Sequence, residues 1–211
     1  KLEMVGRINY KLNGADISVL VADVNWNQRS VHSLEFLSNS TRMNYGYDRV
    51  SVLGVSGNFA LDDYIFRYEA ALNEGRIFKN DSEITPWTSH SQLLSAVGFE
   101  YSGISDVVFS GEIGNSNIFD YNSALSSDRQ ETGYLVQIRW SALNDQLNIS
   151  AAFNKLIGDD STISSLAVDY DLFDNVQVEG RFIDYASSSE VDVFYPYKDH
   201  DVIKASIKYM F

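Results

Sequence analysis

The 211-residue chain contains no cysteine, two prolines and three histidines, and it has 16 basic residues against 29 acidic ones. The absence of cysteine excludes disulfide bonds and suits a chain that passes through an oxidising compartment. The net charge of -13 argues against a nucleic-acid partner, because phosphates are bound by lysine and arginine. No run of about 18 apolar residues occurs, which excludes a membrane-spanning helix. Val19–Ala22 is typical of the longest apolar runs.

Apolar residues are nevertheless abundant, at 45% of the chain with 13% aromatic, which is too many for a disordered protein. They alternate with polar residues, the two-residue period of a β-strand with one apolar face. The alternation recurs over residues 2–12, from Ile17 onward, and over 47–59, 64–78, 92–102, 106–115, 133–142, 146–157, 163–173, 176–186 and 201–211. It predicts a single all-β domain over residues 1–211, with about eleven antiparallel strands.

The connections between these strands alternate between short and long. Tight turns are predicted at Asn13-Gly14, 60–63, 102–105, 142–145 and 173–175. The long polar segments are 26–46, 79–91, 116–132 and 187–200, with a shorter link at 158–162. This layout, with aromatic residues beside the short turns, is typical of a transmembrane β-barrel. A soluble β-sandwich or a large lipocalin-like barrel is the alternative, and the charged polar faces argue against it.

The last strand carries the most specific pattern. Its alternating residues are Ile203, Ala205, Ile207, Tyr209 and the terminal Phe211. This pattern resembles the C-terminal strand of Gram-negative outer-membrane β-barrels. The resemblance implies an assembly signal read by the barrel-assembly machinery. It also implies a place in the outer membrane, among its lipids and lipopolysaccharide.

The strand count predicts that the chain is part of a longer protein. Bacterial single-chain barrels have an even number of strands, whereas about eleven are predicted here. We therefore expect a C-terminal portion that lacks a signal peptide and at least one N-terminal strand. The whole barrel would have about twelve or more strands.

Residues of the opposite parity would face the barrel lumen, and their charges are nearly balanced. Same-strand neighbours such as Arg67 with Glu69, or Glu179 with Arg181, are interpreted first as structural ion pairs. The set as a whole favours a polar path for solutes. The predicted lumen-lining residues are Arg7, Lys11, Arg67, Glu69, Glu100, Glu112, Arg139, Asp169, Glu179, Arg181, Lys204 and Lys208.

Two internal segments, 66–72 and 97–101, suggest a function. They resemble strands of a large proteobacterial outer-membrane family of unknown function and of alginate-export-type porins. The resemblance implies a channel for an organic or lipidic solute. We predict a porin-like channel for passive transport of small polar or amphipathic solutes, with no cofactor. The alternative is a structural or adhesion barrel whose lumen is plugged by its own side chains.

An enzyme is the second alternative. His32, His90 and His200 are all predicted in loops, and Asp199-His200-Asp201 weakly resembles the Asp/His pairing of omptin-type proteases at the extracellular rim. A partner from another loop would be needed, because neighbouring residues of an extended chain point in opposite directions. The prediction is therefore that the chain is not an enzyme.

Two questions about the loops stay open at this stage. The acidic residues Asp159-Asp160 and Glu190–Asp192 could bind calcium, although a solvated acidic rim is the preferred interpretation, and no metal site is predicted. Residues 28–42 carry enough apolar side chains to fold inward as a constriction or to pack against a neighbour, and an exposed flexible loop is the competing interpretation.

Overall fold

A computed structural model describes residues 2–81, 87–190 and 192–210. Eleven β-strands and one 3₁₀ turn, Tyr195–Tyr197, account for most of this part of the chain. The strands are β1 (Met4–Leu12), β2 (Ala15–Leu37), β3 (Ser40–Leu61), β4 (Tyr64–Lys79), β5 (Trp87–Ile104), β6 (Val107–Ile118), β7 (Gln130–Ala142), β8 (Leu147–Ile157), β9 (Thr162–Phe173), β10 (Val176–Ala186) and β11 (Val202–Tyr209).

The strands form one antiparallel sheet in which spatial order follows chain order from β1 to β11. This confirms the all-β prediction. The turn residues Gly14, Asp62 and Asp106 have φ values of 75°, 49° and 63°. Glycine and aspartate tolerate this left-handed conformation, which explains why tight turns could be recognised in the sequence. No helix of the described residues is long and apolar enough to cross a membrane.

The chain divides into two compact units. The first comprises residues 1–58, 68–96 and 115–131, and the second comprises 59–67, 97–114 and 132–211. The first therefore contains β1, β2 and most of β3, and the second contains β8 to β11 complete.

In the second unit, the strand register separates an apolar face from a polar face. The apolar face includes a row that runs across five strands, Trp140, Ile149, Val168, Gly180 and Ala205. The polar row consists of the residue next to each of these on its strand: Arg139, Ser150, Ala167, Arg181 and Lys204. Because directly opposed residues share a face, the alternation in each separate strand adds up to one continuous surface.

The first unit has the same two faces. Ile8 opposes Val19 on the apolar side, and Asn9 opposes Ser18 on the polar side. Both faces of β1 are exposed, and Ile8 is 77% exposed.

Exposure shows that the apolar face does not form a water-excluding core. Ile203 is 84% exposed and Trp140 is 47% exposed. Among the described residues, the buried apolar side chains are six: Ala22, Val31, Val50, Phe78, Ile118 and Leu125. A soluble sandwich of this size would bury its apolar face, whereas a transmembrane barrel turns that face toward lipid.

Aromatic residues of the apolar face cluster beside the short turns of the second unit. The ring centroids of Phe59 and Phe66 are 5.0 Å apart, and those of Tyr64 and Tyr101 are 4.6 Å apart. An interfacial girdle has this composition and position. The last residue of the predicted assembly signal, Phe211, lies outside the described residues, while Ile203, Ala205, Ile207 and Tyr209 lie on β11 opposite apolar-face residues of β10.

The prediction of a loop over residues 26–46 is wrong. β2 continues to Leu37 and β3 starts at Ser40, so this segment is a long hairpin. Its cross-strand contacts are polar, such as Arg42 with Glu35 at 3.6 Å and Asn44 with Ser33 at 2.8 Å. Apolar alternation reports contact with lipid, so it stops where the strands leave the bilayer even though the hairpin continues. His32 therefore lies in a strand rather than a loop. His90 also lies in a strand, because β5 begins at Trp87, inside the segment 79–91 that was predicted as a loop.

Candidate functional site on the polar face

Glu100 joins two arginines on the polar face of the second unit. Its Oε2 accepts hydrogen bonds from Arg67 at 3.3 Å and from Arg139 at 3.4 Å. The glutamate side chain is 21% exposed, whereas the two arginine side chains are 54% and 53% exposed. The side chains of Arg67 and Arg139 are therefore more open to water than that of Glu100, the carboxylate they share.

Glu179 forms the second charged cluster of this face. It pairs with Arg181 on its own strand at 3.5 Å and with Lys204 on β11 at 3.9 Å. Ser206, directly opposite, donates a hydrogen bond to its carboxylate at 3.1 Å. Asp169 opposes Glu179 on the other side, which places two carboxylates side by side.

The structure changes one of the two predicted same-strand pairs. Glu179 does pair with Arg181, but Arg67 pairs across to Glu100 rather than along its strand to Glu69. Long side chains on neighbouring strands reach each other even when they are diagonal rather than directly opposed, so a pair between strands can replace one along a strand. Among the described residues, Glu69 and Glu112 have no ion-pair partner within 4.0 Å.

The remaining predicted lumen residues also occupy the polar face. Arg7 donates a hydrogen bond to Ser18 at 2.6 Å, and Ser18 donates in turn to Asn9 at 2.7 Å. Lys11 lies opposite Asp16, and Lys208 lies opposite Gln177.

A cavity of about 520 Å³ opens in the second unit near the short turns. Ser141 donates to Asn148 at 2.8 Å, and Asn148 donates to the carbonyl oxygen of Asp145 at 2.9 Å, which fixes part of its wall. This volume falls within the usual range of small-molecule sites. Its polar lining includes Asp106, Arg139, Ser141, Asn148, Ser150 and Asp169.

The first unit contains a polar site that the sequence did not reveal. The Arg76 guanidinium carbon lies 4.8 Å from the centroid of the Trp26 ring and 5.1 Å from that of Phe78. Its Nη1 donates a hydrogen bond to Gln92, whose amide nitrogen donates to Ser116 at 2.8 Å. Gln92 is only 5% exposed, so this anchor is rigid.

Gly75 gives β4 a backbone irregularity directly before Arg76. From Arg67 to Arg76 is nine residues along β4, whereas their hydrogen-bond partners Glu100 and Gln92 are eight residues apart on β5. A β-bulge produces a one-residue difference of this kind, and the extra residue changes which side chains share a face. Gly75, at φ 87°, supplies the backbone conformation that a bulge needs, and a Cβ there would meet the Arg49 carbonyl oxygen at 2.7 Å.

The connection between β6 and β7 covers the neighbourhood of Arg76. Within residues 119–129, Leu125 packs with Phe78 and Ile118 in a small buried cluster, and Tyr121 packs against it. Backbone hydrogen bonds from Asp81 to Ala124 and from Ser126 to Lys79 tie this segment to the end of β4. Residues 28–42, which the sequence offered as a constriction, belong to the long hairpin of β2 and β3, whereas residues 119–129 pack beside Phe78.

The long hairpin carries a histidine–carboxylate pair. His32 Nε2 lies 2.9 Å from Asp48 Oδ1, and Ser30 donates to the other carboxylate oxygen. Gly46 leaves room for the imidazole, since a Cβ there would approach the ring to 2.5 Å. The sequence placed an Asp/His site at His200 instead, but among the described residues the ring of His200 contacts Tyr197 and no carboxylate pairs with it.

The acidic loops of the second unit are bound internally. Val193 and Ser161 donate backbone hydrogen bonds to Asp159, and Asp160 accepts from Ser188. Burial acts to raise the pKa of the Asp159 carboxyl, but the hydrogen bonds from Ser161 and Val193 outweigh it and hold the pKa below its usual range. No group of three or more metal-ligating residues occurs among the described residues.

The lowered pKa predicts an acid-sensitive loop contact. A carboxyl whose pKa is depressed on folding contributes stability above its unfolded pKa of about 3.9 and loses it as the pH falls through the lower folded value. In NMR titrations, the amide protons of Ser161 and Val193 should shift together with a midpoint below that value. Asp159→Asn should abolish the shared titration, and a midpoint at or above the ordinary value would contradict the prediction.

Comparisons with known proteins place the fold. No family model matches the chain, and no curated protein matches it. A loop-deleted form of OmpT, an outer-membrane protein of Vibrio cholerae, is similar in structure with a TM-score of 0.54 at 13% identity, over 97% of this chain and 62% of that one. The fold is that of an outer-membrane β-barrel. This supports the predicted location in the outer membrane, although the chain spans less than two thirds of that neighbour's length.

Two further OmpT structures have lower scores. In-vitro folded OmpT of Vibrio cholerae matches with a TM-score of 0.45 at 14% identity, over 99% of this chain and 89% of that one. OmpT expressed in the outer membrane matches with a TM-score of 0.45 at 13% identity, over 97% and 88%. None of the three matches identifies an alginate-export-type porin.

The prediction that the chain is not an enzyme is wrong, because the reason for excluding catalysis does not hold in the structure. It depended on histidines placed in loops without a paired carboxylate, and His32 has such a partner in Asp48. The similar solved structures are outer-membrane proteins named OmpT. Their sequence identity to this chain gives no ground for excluding catalysis.

Proposed function

We propose that the chain forms a channel through which small polar or amphipathic solutes cross the outer membrane passively. The observation that carries the proposal is the partial exposure of the charged clusters on the polar face. Arg67 and Arg139 keep about half of their side-chain surface open to water. In a lumen plugged by its own side chains these guanidinium groups would be buried against their partners.

The arrangement of charges supports weak selection among solutes. Glu100 and Glu179 each lie between two cations, so charges of both signs alternate across the polar face. A ring of one sign would select strongly between ions, whereas interleaved signs orient dipolar solutes and admit both kinds of ion.

Conductance in a planar bilayer tests the channel. The full-length protein should form stable channels whose anion-to-cation permeability ratio falls in Arg181→Gln. Arg42→Gln is the matched control, because Arg42 pairs with Glu35 on the long hairpin and its side chain is 65% exposed. A well-folded protein that never conducts would favour the structural or adhesion alternative.

A second candidate function, hydrolysis, is favoured by the His32–Asp48 pair. When Nε2–H is donated to Asp48, the opposite nitrogen Nδ1, which bonds to none of the described residues, can take a proton from water. That water would attack the carbonyl carbon of a substrate, and His32 would return the proton to the leaving group as the carbonyl–leaving group bond breaks. Asp48, with a 13% exposed side chain, would hold the ring and stabilise its charged form.

Purified variants test hydrolysis on fluorogenic peptides and acyl esters. His32→Ala and Asp48→Asn should each lower the rate by about 100-fold or more, the usual contribution of general acid–base catalysis. His200→Ala should not change it, because no described carboxylate pairs with that ring. Equal rates in all three variants, or no hydrolysis by the wild type, would reject this function.

A further inference from the structure

Arg76 is a partly buried cation that forms no ion pair with the described residues. Among the described residues, no carboxylate lies within 4.0 Å of its guanidinium group, although Arg49, Arg67, Arg139 and Arg181 all have one. Its hydrogen-bond partner Gln92 is only 5% exposed. Removing an arginine from water without a nearby anion costs free energy, which an arriving anion would recover.

The surroundings of Arg76 hold it in a defined orientation. Gln92 occupies Nη1, and its own amide nitrogen is already bound to Ser116, so it cannot turn away. The Trp26 and Phe78 rings lie near the guanidinium group. A guanidinium group has five N–H donors in a fixed plane, and Gln92 uses one of them.

We infer that Arg76 binds the carboxylate of a small organic acid with a planar apolar body during its passage through the channel, an inference that rests on the proposed function. The N–H groups of Arg76 that bond to none of the described residues suit a planar carboxylate, which arginine binds through two parallel hydrogen bonds. The Trp26 ring, together with Tyr121 of the covering segment, offers apolar surface for the rest of the molecule.

One nearby acid favours a singly charged ligand. Glu131 lies close enough to act electrostatically on Arg76. A phosphate dianion would meet this negative charge and would lose more hydration than a carboxylate does in the same apolar surroundings. The chemical class is therefore an organic monocarboxylate.

Benzoate and its neutral isostere benzamide test the inference. Calorimetric titration of the full-length protein in detergent should show benzoate bound more tightly than benzamide. Arg76→Gln should weaken benzoate binding by roughly tenfold or more while leaving benzamide unchanged. Arg76→Lys keeps the charge but not the planar pair of donors, so its affinity for benzoate should be intermediate. Arg42→Gln is the control, and circular dichroism verifies that each variant folds.

The outcomes separate this site from the channel itself. Equal affinity of the wild type and Arg76→Gln for benzoate, or no binding by the wild type, would overturn the inference. Benzoate binding without conductance in bilayers would reject the channel but keep the site. If Arg76→Gln does not fold, the contrast between benzoate and benzamide and the Arg76→Lys affinity still decide the matter.

Discussion

Leu166→Arg should strongly destabilise the protein in a membrane, because it places a guanidinium group on the apolar face. Leu166 lies near the middle of β9, between Ala151 of β8 and Phe182 of β10, and is 45% exposed. An arginine at the lipid face near the bilayer midplane costs about 2–4 kcal/mol. The ratio of folded to unfolded protein should therefore fall roughly 30-fold to 1,000-fold, measured by urea unfolding in phosphatidylcholine vesicles.

Ser165→Arg is the matched control for this prediction. Ser165 is the preceding residue of the same strand, and it opposes Ala152 and Ile183 on the polar face. An arginine there can extend into water, so its effect on the free energy of unfolding should stay within about 1 kcal/mol. A larger loss from Ser165→Arg than from Leu166→Arg would mean that the faces have been assigned the wrong way round.

The fold could be predicted because contact with lipid on one face requires apolar and polar residues to alternate along each strand. In β8, for example, Ile149 follows Asn148, and in β10 Val178 follows Gln177. The observed register places the apolar residue of each strand on one face and the polar residue on the other. The turns were also recognisable, because Asn13-Gly14 and the turn aspartates carry the residues that positive φ requires. The hairpin beyond the bilayer was missed, since both of its faces meet water and no alternation marks it.

The sites were less predictable, because they depend on which strands meet and where the register shifts. Parity placed Glu100 and Arg139 on one face, but only the fold shows that Arg139 and Arg67 share Glu100 as their partner. For Arg76, the left-handed backbone of Gly75 directly before it interrupts the regular alternation, and glycine in a strand is the signal that could have indicated this. The His32–Asp48 pair was hidden because the hairpin itself was unrecognised.

Glu100→Gln should change ion selectivity more than any other single substitution in the charged clusters of the second unit. Glu100 is the shared partner of Arg67 and Arg139, at 3.3 and 3.4 Å. Replacing it leaves two cations facing the same neutral oxygen, so the net charge of the cluster rises from about +1 to +2. Anions should be attracted more strongly, and we expect the anion-to-cation permeability ratio in planar bilayers to rise several-fold at low salt, where screening is weak.

Two companion variants show whether this effect arises in the cluster. Glu69→Gln removes the same negative charge from a residue that has no ion-pair partner among those described, so it should change the permeability ratio less. In the double variant Glu100→Gln with Arg139→Gln, the cluster returns to a net charge of about +1, and the ratio should return close to that of the wild type. Stability should vary little across the series, because both arginine side chains are about half exposed and pairs of that kind contribute about 0–1 kcal/mol. A permeability ratio that follows total charge alone, equal in Glu69→Gln and Glu100→Gln, would show that ions do not pass beside Glu100.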